Sequence, residues 1–191
     1  IDKLENGKVY AYANKNEFQS VIGNISGLEI LTPPSLQKEV SMANSFKQAQ
    51  SWDYYPTYSQ YIALMDSFAN AHPAICQKFN FGTTTNGREL LILKISDNVG
   101  IKEAEPEFLY ISSIHGDELT GAILMLRLID YLLTNYGTDP EVTNLVDNIE
   151  IWINPLSNPD GTYFLSNNNV NGAIRYNGNF IDLNRNFPDP E

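Results

Sequence analysis

One junction constrains this chain more than any other. An apolar run, Glu107 to Ile114, ends at His115, and a second long apolar stretch, Leu119 to Tyr136, begins almost at once. The first alternates little and is richly apolar, which fits a buried central strand. The second reads as a long helix, apolar on most sides and packed deep against a sheet. Between them, Gly116 lets the backbone turn tightly. A buried strand that feeds directly into a helix predicts layers of helix on sheet.

The flanking segments agree. Pro56-Thr57 precedes Tyr58, Tyr61, Ile62, Met65 and Phe68, whose three- and four-residue spacing predicts a helix with an aromatic core stripe. It should stop before His72-Pro73, because the residue before proline disfavours helix. Ile75 to Thr83 and Glu89 to Ser96 read as strands, with Asn86-Gly87 as the hairpin turn, since both residues tolerate positive φ. Pro140 to Val146 reads as a short helix and Ile149 to Asn154 as another buried strand. The expected fold class is α/β, a mixed twisted sheet with helices on both faces.

Residues 1–50 read differently. Lys8 to Tyr12 and Leu28 to Leu31 are candidate strands, Glu17 to Ile22 a helical turn, and Pro33-Pro34 a break. Ser35 to Gln50 is polar and reads as a linker or irregular segment. The expected organisation is a small N-terminal module or extension with a linker over 1–50, and the main domain over 51–191.

Composition narrows the function. Apolar residues make up 42% and charged residues 18%, as in globular chains. Acidic residues outnumber basic ones by 23 to 12, for a net charge of −11. That argues against a nucleic-acid partner, which needs a basic face. Cys76 is the one cysteine, so no intrachain disulfide forms, and its apolar neighbours mark it as a core residue rather than a nucleophile. No apolar run reaches membrane-spanning length, since Gly121 to Leu133 is broken by Arg127 and Asp130. The chain begins at Ile1 without methionine, which is compatible with a removed signal peptide and a secreted, periplasmic or cell-surface location.

The strand end holds the chemistry. His115 and Glu118 lie three residues apart across the Gly116 turn, so an imidazole nitrogen and a carboxylate can converge on one point. Catalytic groups of α/β sheets gather at carboxyl ends of strands, and these two groups suit Zn²⁺, which keeps three protein ligands and a water in catalytic sites. Taken alone, the pair is weak evidence for a metal and fits better a surface histidine beside a helix-capping carboxylate. Further on, Asn158-Pro159-Asp160-Gly161 has turn composition. Arg175, Asn184 and Arg185 stand in a loop-rich stretch and could bind an anion, or each arginine could pair with a local aspartate.

In this order, His115-Gly116-Asp117-Glu118, Asn158-Pro159-Asp160-Gly161 and Asp182-Leu183-Asn184-Arg185-Asn186-Phe187-Pro188 resemble the zinc metallocarboxypeptidase family. The spacing of Arg175, nine residues before Asn184, resembles its carboxypeptidase N/E/D branch. The resemblance runs from Tyr54 onward and leaves out residues 1–50. It implies a zinc carboxypeptidase-like fold, one Zn²⁺ per complete domain, and a peptide or protein substrate with a free C-terminus. It makes His115 and Glu118 the first two zinc ligands and Asp182 the carboxylate that orients His115. Arg175 becomes the residue that polarises the scissile carbonyl and stabilises its oxyanion, and Asn184 with Arg185 the pair that grips the terminal carboxylate.

Two departures stand out. Asp117 occupies the place where digestive relatives carry a substrate-binding arginine, a job a carboxylate cannot do. The family's third ligand, a later histidine, and its general-base glutamate have no match here, since His72 precedes the motif. The chain therefore reads as the truncated first half of the domain, inactive by itself, with its C-terminal half as a partner and an apolar sheet edge exposed after Asn186-Phe187. Two other functions share parts of the signature: a zinc deacylase of the aspartoacylase or desuccinylase type, and a non-catalytic binding pseudoenzyme. The Asn-Pro-Asp-Gly loop favours the peptidase.

Overall fold

The structure, a computed structural model, describes residues 3–13, 15–31 and 40–188. The chain divides into two compact units, Ile1–Pro33 and Pro34–Glu191. In the first, β1 (Lys3–Glu5) and β2 (Lys8–Tyr10) form an antiparallel hairpin. Asn6 and Gly7 turn it, both at positive φ, 50° and 74°, which matches the twist of the paired strands. That dipeptide was a readable hairpin signal, and it supplies a strand, β1, absent from the sequence reading. A short helix, α1 (Lys15–Val21), follows. Leu28 to Leu31, expected as a strand, has no strand pairing among the described residues; an apolar run becomes a strand only where a neighbour completes its hydrogen bonds. No described residue of this unit is buried.

The second unit opens with Met42, which bridges to Tyr55, and with α2 (Phe46–Ala49), capped by the Ser45 side chain. Ala43 and Ala49 in this stretch are buried. Next, α3 (Tyr58–Ala71) begins with a reciprocal cap, in which Thr57 accepts from the Gln60 backbone and Gln60 from that of Thr57. It ends at His72, before Pro73, as the sequence required. Its buried face is Tyr61, Leu64, Met65 and Phe68.

The main sheet has four strands in the order β3 (Cys76–Thr83), β4 (Glu89–Ile95), β6 (Glu150–Asn154), β5 (Glu107–Ile111). The β3–β4 and β4–β6 pairs are antiparallel, and β5–β6 is parallel. The expected mixed α/β sheet is thus present. The β3–β4 turn is longer than a two-residue hairpin: Thr84 N–H donates to Arg88 O at 2.8 Å, and only Gly87 takes positive φ, at 80°. A turn followed by a left-handed glycine is the usual three-residue solution.

Between β5 and β6 the chain passes through α4 (Leu119–Asn135) and α5 (Pro140–Val146). Such a crossover is what a parallel pair demands. Leu126, Ile129, Leu132 and Leu133 make the buried stripe of α4, while Leu124 and Tyr131 are exposed. Covered sides are therefore fewer than the helix's apolar sides. β5, expected as a buried central strand, is instead an edge strand, and all five of its residues are exposed. Apolar composition records the cover a strand is suited to, whereas exposure depends on which neighbours are there. Among the described residues only β6 pairs with it. No described helix is long and apolar enough to cross a membrane. Cys76 is buried, and burial pushes its thiol up to about 12, so it stays protonated near neutral pH, in keeping with a core role.

Candidate active site

The site begins where β5 ends. Ser113 takes positive φ, 53°, and its hydroxyl donates to Glu118 O at 2.8 Å, which closes the loop into the start of α4. His115, only 4% exposed, lies inside that loop. Its Nδ1 is 2.7 Å from Glu118 Oε1, and its Nε2 is 3.1 Å from Asp182 Oδ1. An ionised carboxylate can only accept. Both neighbours are acceptors, so the two ring nitrogens compete for one proton; when it sits on Nε2 facing Asp182, the Nδ1 lone pair faces the Glu118 carboxylate. Two acceptors at that distance require a proton or a cation between them. This donor set fits one side of a zinc site.

Asp182 is shared. Its Oδ2 accepts from Arg175 Nε at 2.8 Å, and its Oδ1 also accepts from Asn184 N–H at 3.0 Å. Burial works against its charge, but Arg175, the Asn184 amide and His115 together hold its carboxyl below the usual aspartate range. Burial also opposes the charge of Arg175, and the bond to Asp182 outweighs it, so the guanidinium stays protonated. Asp117 behaves oppositely: burial, with the neighbouring Glu118 charge, raises its carboxyl above the ordinary value despite His115 and Arg175. A half-buried aspartate beside the pair presents no positive charge to a substrate.

Asn184 and Arg185 occupy a 3-10 turn, Leu183–Arg185, that Asp182 caps. Both are exposed, and Arg185 Nη1 donates to Asn184 O at 3.0 Å. The structure thus brings His115, Glu118, Arg175 and Asp182 into one bonded chain and sets Asn184 and Arg185 directly beyond it. His72 ends α3 instead. Among the described residues, no third His, Cys, Asp or Glu ligand atom converges with His115 and Glu118.

What holds this arrangement is the segment read from sequence as a plain turn. Asn158 caps α6 (Pro159–Thr162), accepting from Gly161 N–H at 2.9 Å. Thr162 Oγ1 donates to Gly116 O at 2.8 Å, and Ile174 N–H to Gly161 O at 2.9 Å. Gly116 and Gly161 meet so closely that a Cβ on Gly116 would lie 2.2 Å from the Gly161 carbonyl carbon. Asp160, 1% exposed, accepts from Thr84 Oγ1 and Arg88 Nη1, each at 2.8 Å, and from Asn86 N–H at 3.2 Å. The β3–β4 turn is thereby fastened to the site.

These features define the class. The family model described as zinc carboxypeptidase matches residues 61–190, and the chain belongs to that family. Its relatives include carboxypeptidase D of Anas platyrhynchos, 44% identical over 163 residues, which are 83% of this chain and 12% of that protein. Carboxypeptidase D of Homo sapiens is 42% identical over 150 residues, 77% of this chain and 11% of that one. The chain therefore spans only a small part of the length of these relatives. Among solved structures, carboxypeptidase A from Helicoverpa armigera superposes with a TM-score of 0.61 at 25% identity, covering 73% of this chain and 35% of that chain.

Proposed function

We propose that the complete domain carrying this chain hydrolyses the C-terminal residue from peptides or proteins with the aid of zinc. The supporting observation is the bonded series Glu118, His115, Asp182, Arg175, which joins a metal-binding pair to a fixed guanidinium through one carboxylate. In this reading, residues 51–191 are the N-terminal part of the catalytic domain and residues 1–50 an extension of it.

His115 Nδ1 and Glu118 would hold the zinc, one per complete domain, which when bound supplies Lewis acidity and an activated water. Asp182 keeps the imidazole in the ligating tautomer. Arg175 offers a preorganised charge where the scissile carbonyl oxygen becomes negative, a contribution of about 3–4 kcal/mol for a well-placed donor. Asn184 and Arg185 bind the free carboxylate, so cleavage is confined to the chain end. The third ligand and the general-base glutamate come from the other half of the domain. The location that goes with this reading is secreted, periplasmic or at the cell surface.

The test is an assay of the full-length, zinc-loaded protein on one peptide with a free and with an amidated C-terminus, and on N-acyl amino acids. Turnover of the free peptide alone is expected. Equal cleavage of the amide, or preference for N-acyl amino acids, would overturn the proposal.

A further inference from the structure

Asn158 is 2% exposed and lies between β6 and α6. Its orientation follows from Gly161, whose N–H points at Oδ1 at 2.9 Å. The Nδ2 group must therefore face the other way. There it donates to Ile114 O at 3.3 Å and to Arg175 O at 3.2 Å. Ile114 immediately precedes His115, so one buried amide grips both the loop bearing the metal-binding pair and the backbone of the arginine. The direct link between those segments is longer, Gly116 N–H to Arg175 O at 3.4 Å.

Capping does not explain the residue. Serine, threonine and aspartate cap a helix about as well as asparagine. Of these, only asparagine adds two N–H donors to the accepting oxygen. Its platform is also built to stay put. Asp160 is tied to Thr84, Asn86 and Arg88, and a Cβ on Gly161 would lie 2.5 Å from Tyr176 O and 2.6 Å from Ile174 O.

We propose that Asn158 is a positioning residue whose side-chain amide fixes the His115–Glu118 loop against Arg175, and so aligns the bound metal with the guanidinium. The inference rests on the proposed roles of His115, Glu118 and Arg175. An aspartate here keeps the cap but sets a carboxylate oxygen against two carbonyl oxygens. A serine keeps an accepting oxygen and loses the reach to both carbonyls.

The experiment compares wild type, Asn158→Asp and Asn158→Ser in the full-length protein. Zinc affinity is measured by chelator competition, turnover on a peptide with a free C-terminus, and folding by circular dichroism. Folded variants should bind zinc about 10–100-fold more weakly and lose kcat on the same scale, with KM within about twofold of wild type. If Asn158→Asp does not fold, Asn158→Ser decides. Unchanged zinc affinity and kcat in a folded variant would overturn the proposal. Failure of both variants to fold would do so too, by assigning Asn158 to stability instead of alignment. A wild type that binds zinc but cleaves no peptide would sink the functional reading alone, while the zinc comparison would still judge Asn158.

Discussion

Gly116 and Arg185 ask different things of a single residue. At Gly116 the requirement is the absence of a side chain, because the space is filled by the backbone of Gly161 and Thr162. Gly116→Ala should destabilise the fold by at least about 1–3 kcal/mol, the usual cost of overpacking where nothing can yield. A lowered urea midpoint at unchanged slope would register it, and an unchanged midpoint would mean that the two loops are free to separate. At Arg185 the proposed requirement is charge. The residue is exposed, and its side chain hydrogen-bonds to Asn184 O, outside the bonded series. Arg185→Ala in the full-length protein should raise KM for free-carboxylate peptides while zinc content stays nearly constant; equal loss of metal and activity would assign Arg185 to structure. The residue-scale features legible in the sequence were those carried by short motifs, such as the His115 and Glu118 pair. Asp160 was not, because its partners Thr84, Asn86 and Arg88 lie more than 70 residues earlier. Nothing local distinguishes an aspartate in a turn from one buried against an arginine.

Elements were legible where their signals are local. The start of α3 was marked by Pro56-Thr57 and its end by Pro73, and both boundaries hold. Elements defined by partners were not: β5 lies at an edge, and Leu28 to Leu31 joins no strand among the described residues. The pairing of Glu150 with Lys94 was equally hidden. Glu150 opens β6 at 1% exposure, and its Oε1 is 3.1 Å from Lys94 Nζ, itself 5% exposed. Lys102 reaches the other oxygen at 3.2 Å. Burial disfavours the Glu150 charge, but the two lysines and the Glu103 amide outweigh it and hold the carboxyl below the usual value. The folded chain thus binds this proton more weakly than the unfolded chain. Its contribution is complete above the unfolded carboxylate pKa and is lost as pH falls through the lower folded value. Denaturant titrations at decreasing acidic pH should show stability declining, and Glu150→Ala should flatten that decline. The substitution itself should cost about 3–5 kcal/mol, since it leaves the Lys94 charge buried without its main partner. A variant as stable as wild type would show that water reaches Lys94.

For the whole molecule, the count of ligands matters most. In the proposed reading His115 and Glu118 supply two zinc ligands, one short of the protein ligands a catalytic zinc usually has. The isolated 191-residue chain should therefore bind Zn²⁺ weakly in calorimetry and show no useful peptidase turnover. One tightly held zinc, or robust turnover, would mean that another group completes the site. The sheet has an exposed apolar edge at β5, where Phe108, Leu109, Tyr110 and Ile111 are 39–58% exposed. Phe187 is exposed too, at 70%.

The open flank of β5 also leaves a mark in time. Backbone amides along a strand point alternately to either side, and β6 lies on one side only. Exchange with deuterium should then be slow at every second residue of Glu107–Ile111 and fast at those between, while Leu93–Ile95 of β4 and Ile151–Ile153 of β6, paired on both sides, are protected at both sets. Uniform protection along β5 would show that something has paired with its outer side, whether a second copy or another strand. The same five residues would then report, one amide at a time, when that side closes.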